Sequence, residues 1–188
     1  ERDTTALDWS DIDILMECTG RGTRAVAEGA LSAGAGRVLI SGPAIDPDLT
    51  LVLGANDEAL TDAHRIVSNA SCTTNAIAPL VRRIDETWGL DSALMTTVHF
   101  YTGSQPTVDM PMRDPARSRA AALSMVPPPT SAADLMDVVL PDLAGRVTGS
   151  AVRVPTASVS CVDLAVMTRD RPQAADAELF FRDQADDI

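Results

Sequence analysis

The sequence predicts an α/β segment followed by an α+β segment, and three observations support this prediction. A strand–helix–strand pattern covers residues 12–41, short apolar runs follow at 51–54 and 65–67, and runs that partly alternate at period two lie between residues 149 and 167. A strand, a helix and a strand in so short a stretch form a βαβ unit with a parallel sheet. Residues 12–69 therefore predict the second half of a doubly wound parallel sheet. The later strands predict part of a mixed or antiparallel sheet.

The α/β segment is expected to begin with a buried strand over Ile12–Cys18, where apolar side chains predominate. Apolar residues at helical spacing predict a helix within residues 22–34. Arg37–Ser41 predicts the second strand, which a Gly-Pro pair ends. Cys18, like Cys161 in a later strand pattern, is expected to lie in the core.

The later elements follow from the same rules. Helical spacing of apolar residues predicts helices over residues 76–84, 131–140 and 174–184. A long strand is expected over Ala93–His99. The segment Thr102–Thr130 contains six prolines and is expected to be an irregular loop, which in a domain of this kind usually has a function.

Composition limits the class of protein. Of the 188 residues, 45% are apolar, which is enough for a hydrophobic core, and the net charge of −12 argues against binding to nucleic acid or anionic membranes. No apolar run approaches the ~18 residues of a membrane-spanning helix. The three cysteines form no CxxC pair, so neither a disulfide framework nor a metal site is predicted. A reducing cytoplasm is the simplest setting.

The segment Ser68–Asn75 (Ser-Asn-Ala-Ser-Cys-Thr-Thr-Asn) joins a predicted strand to a predicted helix. Cys72 is therefore expected near a helix N-terminus, where backbone N–H groups and the helix dipole favour the thiolate. Ser71 and Thr73 add hydroxyl groups that suit an oxyanion or a phosphate. His99 could act as the base of an activated thiol. By itself this pattern leaves two interpretations open, a thiolate enzyme and a small buried cysteine.

The segment Ser68–Asn75 resembles the active-site signature of the glyceraldehyde-3-phosphate dehydrogenases and of their close relatives, the erythrose-4-phosphate dehydrogenases. The resemblance extends in order, with similar spacing, to about Met167. Further segments that carry it are Glu17–Gly20, Ser41–Pro43, Tyr101–Gln105, Arg117–Ala121, Arg153–Thr156 and Val162–Leu164. Several motifs in one order make a much stronger signal than any one of them.

The resemblance implies how the chain is organised. Residues 1–71 correspond to the C-terminal part of a Rossmann-type dinucleotide-binding domain, and residues 72–188 to an incomplete catalytic domain. We therefore expect the chain to be a piece of a longer protein, without the first half of the nucleotide-binding domain and without a C-terminal part. It also implies a cytoplasmic glycolytic enzyme that forms a homotetramer and binds neither nucleic acid nor membranes.

The implied reaction is the phosphorylating oxidation of glyceraldehyde 3-phosphate with NAD. Cys72 would be the nucleophile, forming a thiohemiacetal and then a thioester, and His99 would be the base. Thr19 and Gly20 match the segment that lies against the cofactor. NADP is the alternative cofactor, because the residues that distinguish the two lie in the half of the family's domain that this chain lacks.

Two anion sites are implied by the same resemblance. The substrate phosphate would be bound by Arg153 and Thr102, with Ser104 and Arg117 nearby. The attacking phosphate would be bound by a second group, which consists of Ser71, Thr73, Thr130 and the backbone of Ser131. Judged from the residues alone, Arg153 could instead be an edge-strand charge. Ser131 stands where the family normally has glycine, so its side chain is expected to crowd the second phosphate.

Three alternatives remain at this point. The protein could be an erythrose-4-phosphate dehydrogenase, a thiol acyltransferase or hydrolase that needs no cofactor, or a non-catalytic member of the family. A dehydrogenase needs NAD to turn over and a hydrolase does not. A non-catalytic member would have a cysteine of ordinary reactivity.

Overall fold

A computed structural model of the chain describes residues 3–184. These residues divide into two units. The first unit contains residues 3–83, 138–141 and 172–184, and the second contains residues 84–137 and 142–171. None of the helices within residues 3–184 is long and apolar enough to cross a membrane.

A parallel sheet forms the centre of the first unit. In the described part of the chain it has four strands, which are β1 (Ile14–Glu17), β2 (Arg37–Ile40), β3 (Leu49–Thr50) and β4 (Ile66–Ser68). They lie in the order β1, β2, β4, β3, and every neighbouring pair is parallel. The predicted parallel sheet is confirmed.

Helix α1 (Arg24–Ser32) covers one face of this sheet. Thr23 caps it, because the Thr23 hydroxyl accepts a hydrogen bond from the backbone N–H of Val26 over 3.4 Å. A single core cluster joins the helix to the strands, and its buried members are Ala27, Ala30, Ala35, Val38, Ile40 and Ile66. The strand residues in it alternate along β2 and pair across β2 and β4, so they share one face.

The opposite face of β1 is open, and there the prediction of a buried strand was wrong. Ile14 and Met16 are 58% and 64% exposed, because they point away from the face that α1 covers and β1 lies at the edge of the sheet. Cys18 and Cys161 are exposed as well, which corrects the expectation that both lie in the core. Cys18 follows the end of an edge strand, and Cys161 begins another.

The strand predicted at residues 51–54 lies earlier in the chain. β3 ends at Thr50 because the side chain of Asn56 then turns the chain. The Asn56 amide oxygen accepts from the backbone N–H of Val52 over 2.8 Å, and the amide nitrogen donates to the carbonyl of Thr50 over 2.9 Å. Gly54, with φ of 75°, completes the turn.

A mixed sheet forms the centre of the second unit. Its long middle strand β5 (Leu90–Phe100) is parallel to β6 (Val147–Val154) and antiparallel to β7 (Cys161–Thr168). The predicted mixed sheet is therefore confirmed for the described residues. The register places His99 on β5 directly opposite Arg153 on β6.

The predicted helices and the predicted loop are also confirmed. The helices are α2 (Cys72–Trp88), α3 (Ala132–Val139) and α4 (Ala174–Asp183). Helix α2 starts earlier and ends later than the apolar pattern indicated. The chain between β5 and α3 is irregular apart from one 3-10 turn at Pro115–Ser118.

Candidate active site

Cys72 lies in the first unit, where it is the first residue of helix α2. Ser71 caps the helix, because its hydroxyl oxygen accepts from the backbone N–H of Thr74 over 3.1 Å. The hydroxyl groups of Ser71 and Thr74 also lie 2.7 Å apart. Cys72 itself is exposed, whereas Thr73 is buried. A thiol that is exposed at a helix N-terminus has the surroundings that a nucleophile needs.

The turn before Cys72 is strained and is held by an amide. Ala70 has φ of 51°, in the left-handed region that residues with a Cβ rarely occupy. The side-chain nitrogen of Asn75 donates to the carbonyl of Asn69 over 2.7 Å and to the carbonyl of Ser71 over 2.9 Å. These two hydrogen bonds span Ala70. Strained backbone of this kind is often found at functional sites.

Thr19 and Gly20 follow β1 in the same unit, and a buried carboxylate holds Thr19 in place. The backbone N–H of Thr19 donates to Glu17 over 2.8 Å, and the Thr19 hydroxyl donates to the same oxygen. Glu17 is only 5% exposed. Because β1 and β4 are parallel and separated by one strand, Thr19 and the Cys72 turn follow the same edge of the sheet, about 10 Å apart across the strands.

His99 belongs to the second unit and lies near the end of β5. It is only 6% exposed, and its ring stacks on the ring of Phe100 with centroids 4.8 Å apart. Its Nδ1 atom lies 2.7 Å from the carbonyl oxygen of Phe100. One guanidinium nitrogen of Arg153, Nη1, lies 2.9 Å from His99 Nδ1 and donates to the carbonyl of Phe100 over 2.9 Å.

Two hydroxyl groups extend this cluster. Arg153 Nη1 donates to the Thr102 hydroxyl over 3.4 Å, and that hydroxyl lies 2.9 Å from the hydroxyl of Ser104. The structure thus brings together four residues that the sequence predicted, His99, Arg153, Thr102 and Ser104. A guanidinium and two hydroxyls in one cluster suit an anion such as a phosphate monoester.

Arg153 lies on an edge strand, as the alternative interpretation required, but its charge is turned towards His99. Its backbone is fixed by Val126, through hydrogen bonds of 2.6 and 2.9 Å in an isolated antiparallel bridge. Val126 is 1% exposed. The backbone of Arg153 is thus held by β5 on one side and by Val126 on the other. Only the side-chain torsions of Arg153 can then change the position of its guanidinium.

The other predicted anion-binding residues of the second unit make local contacts. Arg117 forms an ion pair of 3.4 Å with Asp114. The Thr130 hydroxyl accepts from the backbone N–H of Ala132 over 3.2 Å, at the start of α3. Ser131 is exposed. The contacts described for Arg117 and Thr130 are thus to residues within three positions of them in the sequence.

Three contributors escaped sequence reasoning. The Asn75 amide lies inside the signature segment, but nothing in the sequence indicates that it bridges two carbonyls. Glu17 could have been noticed as an acid at the end of an apolar run. The carbonyl of Phe100 has no sequence signal, since every residue carries a carbonyl.

No group of three His, Cys, Asp or Glu side chains within residues 3–184 could hold a metal ion.

Comparison with known proteins agrees with this picture. The family model described as "Glyceraldehyde 3-phosphate dehydrogenase, C-terminal domain" matches residues 71–187. The glyceraldehyde-3-phosphate dehydrogenase of Xanthobacter flavus is 51% identical over 154 residues, which are 81% of this chain and 46% of that protein. Glyceraldehyde-3-phosphate dehydrogenase 1 of Bacillus cereus is 48% identical over 170 residues, 88% of this chain and 51% of that protein.

A third relative covers almost the whole chain. The glyceraldehyde-3-phosphate dehydrogenase of Mycobacterium bovis (strain BCG / Pasteur 1173P2) is 44% identical over 184 residues, 96% of this chain and 54% of that protein. The chain thus spans about half the length of the curated relatives it matches. Since the family model covers more than half of its residues, the chain belongs to the glyceraldehyde-3-phosphate dehydrogenase family.

Proposed function

We propose that the protein catalyses the phosphorylating oxidation of glyceraldehyde 3-phosphate, with NAD as the oxidant and NADP as the alternative cofactor. The relatives named above carry the name of this activity. The observation that carries the proposal is the exposed thiol of Cys72 at the first residue of α2.

Cys72 is the nucleophile in this proposal. Its thiolate attacks the aldehyde carbon, a carbon–sulfur bond forms, and the carbonyl oxygen becomes the oxyanion of a thiohemiacetal. Backbone N–H groups in the first turn of α2 stabilise that charge. A nicotinamide nucleotide held by Thr19 and Gly20 would supply the acceptor for the hydride that the carbon loses as the oxyanion re-forms a carbonyl. Cys72 then carries a thioester, which an oxygen of inorganic phosphate attacks, and the carbon–sulfur bond breaks to release an acyl phosphate.

His99 is the general base, and the cluster around it binds an anion. His99 takes the proton that the thiol loses. Arg153, Thr102 and Ser104 bind the phosphate of the substrate, which their mutual hydrogen bonds support. Arg117 assists them.

The inorganic phosphate is assigned to a second group of residues. This group consists of Ser71, Thr73, Thr130 and the backbone of Ser131. Backbone N–H groups at the first turn of a helix, here α2, are suited to such an anion. The side chain of Ser131 narrows the space for phosphate relative to the glycine that is usual in the family.

Residues 1–71 are proposed to be the C-terminal part of a Rossmann-type nucleotide-binding domain, and residues 72–188 an incomplete catalytic domain. In such sheets the nucleotide binds at the carboxyl ends of parallel strands. Thr19 and Gly20 follow β1 at that edge. Gly20 has φ of 72°, and a Cβ added there would meet no atom within 4 Å, so its backbone is open to close approach. These two residues therefore fit a contact with the nicotinamide nucleotide.

We further propose a cytoplasmic homotetramer. Exposed apolar side chains on the mixed sheet support an oligomer, because Leu94 and Met167 are 55% and 63% exposed. The net charge of −12 disfavours contact with nucleic acid or anionic membranes.

The test uses the protein expressed from its complete reading frame. NADH formation is followed with glyceraldehyde 3-phosphate and with erythrose 4-phosphate, each with and without inorganic phosphate. We expect phosphate-dependent NADH with the triose, lowered at least about a thousandfold in Cys72→Ser. Cys161→Ser is the matched control, since it removes another exposed thiol and should retain activity.

The other outcomes identify the alternatives. Preference for erythrose 4-phosphate assigns the protein to the related enzyme. Absence of NADH with rapid alkylation of Cys72 points to a thiol enzyme without a redox cofactor. Absence of NADH with slow alkylation indicates a non-catalytic member of the family.

A further inference from the structure

Two groups of opposite hydrogen-bonding type compete for one ring nitrogen of His99. Nδ1 lies 2.9 Å from Arg153 Nη1 and 2.7 Å from the carbonyl oxygen of Phe100. The third side of this triangle is the 2.9 Å hydrogen bond from Arg153 to Phe100. All three residues belong to the second unit, and His99 and Arg153 are direct partners in the β5–β6 register.

Each neighbour fixes what Nδ1 must do. A guanidinium can only donate and a carbonyl can only accept, whereas a ring nitrogen of neutral imidazole does one or the other. If the proton is on Nε2, Nδ1 accepts from Arg153. If the proton is on Nδ1, it is donated to Phe100, and the N–H group then faces the N–H group of Arg153.

The two arrangements differ in energy. Arg153 can donate to the Phe100 carbonyl in both, so that hydrogen bond does not distinguish them. With the proton on Nε2, the hydrogen bond from Nδ1 to the Phe100 carbonyl is lost and two acceptors lie 2.7 Å apart, but Arg153 Nη1 donates to each of them. With the proton on Nε2, a charge-assisted hydrogen bond forms between Arg153 and Nδ1, which is about twice as strong as a neutral one. With the proton on Nδ1, two donors lie 2.9 Å apart. Because His99 is 6% exposed, little water is available to separate them.

We propose that Arg153 is a positioning residue that keeps neutral His99 protonated on Nε2, and that an anion bound to Arg153 reverses this tautomer. An anion that draws the guanidinium away leaves Phe100 as the partner of Nδ1. Nδ1 then gains a proton from water while Nε2 loses one to water, so no net proton is taken up. Nε2 becomes a proton acceptor, the state that a general base requires.

The position of the anion follows from the neighbouring hydroxyls. Thr102 lies 3.4 Å from the same Nη1 atom that contacts His99, and Ser104 lies 2.9 Å from Thr102. An anion that binds these hydroxyls also attracts Arg153 Nη1, the guanidinium nitrogen that keeps the His99 proton on Nε2. As far as it concerns a base, this inference rests on the proposed function. It adds that binding of the substrate phosphate leaves Nε2 of His99 unprotonated and able to accept a proton. With an aldehyde that has no phosphate, Nε2 stays protonated and His99 cannot act as the base.

Ring-nitrogen NMR of the full chain labelled with ¹⁵N-histidine tests the inference. The chain has two histidines, and His64→Gln assigns the second set of signals. Spectra are recorded at alkaline pH, where imidazole is uncharged. Without an anion, we expect His99 Nδ1 to have the ¹⁵N chemical shift of an unprotonated ring nitrogen and Nε2 that of a protonated one. Saturation with glycerol 3-phosphate, a phosphate monoester without an aldehyde, should exchange the two shifts.

Variants separate the guanidinium from the fold around it. Arg153→Met should give the Nδ1-protonated spectrum without any anion, and Arg153→Lys, which still donates, should retain the Nε2-protonated one. Arg119→Met is the matched control. Arg119 lies in the same unit, pairs with Asp109 over 2.9 Å and should leave the tautomer unchanged.

Protonated Nδ1 in the anion-free chain would overturn the inference, and so would a tautomer that glycerol 3-phosphate at saturation leaves unchanged. Neither result depends on NAD or on turnover. A protein without dehydrogenase activity that still shows the exchange would refute the proposed function and leave the inference standing. An active dehydrogenase whose His99 tautomer does not change with the anion would support the proposed function and refute the inference.

Discussion

The side-chain amide of Asn75 donates a hydrogen bond to the carbonyl oxygen of Asn69 over 2.7 Å, across the turn that leads to Cys72. The same nitrogen donates to the carbonyl of Ser71 over 2.9 Å. Between these two carbonyls lies Ala70, whose left-handed conformation costs a residue with a Cβ about 1–2 kcal/mol. Asn75 therefore holds a strained turn in place immediately before the thiol.

Asn75→Ala should loosen this turn. We expect a loss of about 1–2 kcal/mol in the free energy of unfolding, since two hydrogen bonds disappear and water reaches the carbonyls only in part. Alkylation of Cys72 by iodoacetamide should become several-fold slower, because the first turn of α2 is no longer fixed beneath the thiol. Urea unfolding and the alkylation rate measure the two effects.

Asn56→Ala is the matched control for this variant. The Asn56 side chain also makes two hydrogen bonds to the backbone of the first unit, to Val52 and Thr50. Its removal should lower stability to a similar degree without slowing alkylation of Cys72. Equal alkylation rates in Asn75→Ala and the unaltered protein would show that the amide has no part in positioning the cysteine.

Asp48 predicts a dependence of stability on pH. Partial burial raises the pKa of this carboxyl, but hydrogen bonds from the backbone N–H groups of Ile66 and Arg65, and then the contact with Arg24, outweigh it, so the pKa in the folded protein is lowered. The stabilisation is therefore complete above the pKa of the unfolded chain, about 3.9, and is lost as the pH falls through the lower folded value.

Asp48→Asn should consequently cost most stability near neutral pH and progressively less below about pH 4. Urea unfolding between pH 3 and pH 7 measures this trend. Asp46→Asn is the control, because Asp46 lies 3.9 Å from the same Arg24 but is 77% exposed. Its effect should stay small at every pH. A constant difference between Asp48→Asn and the unaltered protein over that range would contradict the assigned shift.

The sequence was sufficient for the sheet types and for most of the elements, because most of these follow from local patterns; the strand expected at residues 51–54 lies instead at Leu49–Thr50. The βαβ pattern of residues 12–41 required parallel strands, and β1 and β2 are parallel. The same pattern did not reveal that the side chains of Ile14 and Met16 are exposed. Which face of a strand is covered depends on elements elsewhere in the chain, and apolar composition does not carry that information.

The candidate site was predictable as a set of residues but not as a set of contacts. The contact between His99 and Arg153 joins residues 54 positions apart, through the register of two strands that the sequence does not state. Family resemblance suggested both residues as ligands or bases. It gave no reason to expect that one would determine the protonation of the other.

Gly36 marks a close approach between the starts of β1 and β2. Its N–H group donates to the carbonyl of Ile12 over 2.9 Å, and a Cβ at this position would lie 2.5 Å from the carbonyl oxygen of Asp13. Gly36→Ala must therefore move backbone rather than a flexible side chain. We expect a loss of about 1–3 kcal/mol in the free energy of unfolding, measured by urea denaturation.

The control for Gly36→Ala is Gly42→Ala, at a glycine just beyond the other end of β2. A Cβ on Gly42 would meet no atom within 4 Å. Its effect should remain within about 0.5 kcal/mol. If Gly36→Ala were as harmless as this control, the two strands would have to separate at their starts without loss of stability.

Thr97, in the middle of β5, carries a buried hydroxyl. The residue is 2% exposed, and its Oγ1 has no hydrogen-bonding partner among residues 3–184. Valine has nearly the same shape and suits the middle of a strand, so Thr97→Val should raise the free energy of unfolding by about 1 kcal/mol. Thr96→Val, at a half-buried neighbour on the other face of β5, should change it by less than about 0.5 kcal/mol. Urea unfolding distinguishes the two variants. Destabilisation by Thr97→Val would mean that an ordered water or another group satisfies the hydroxyl in solution.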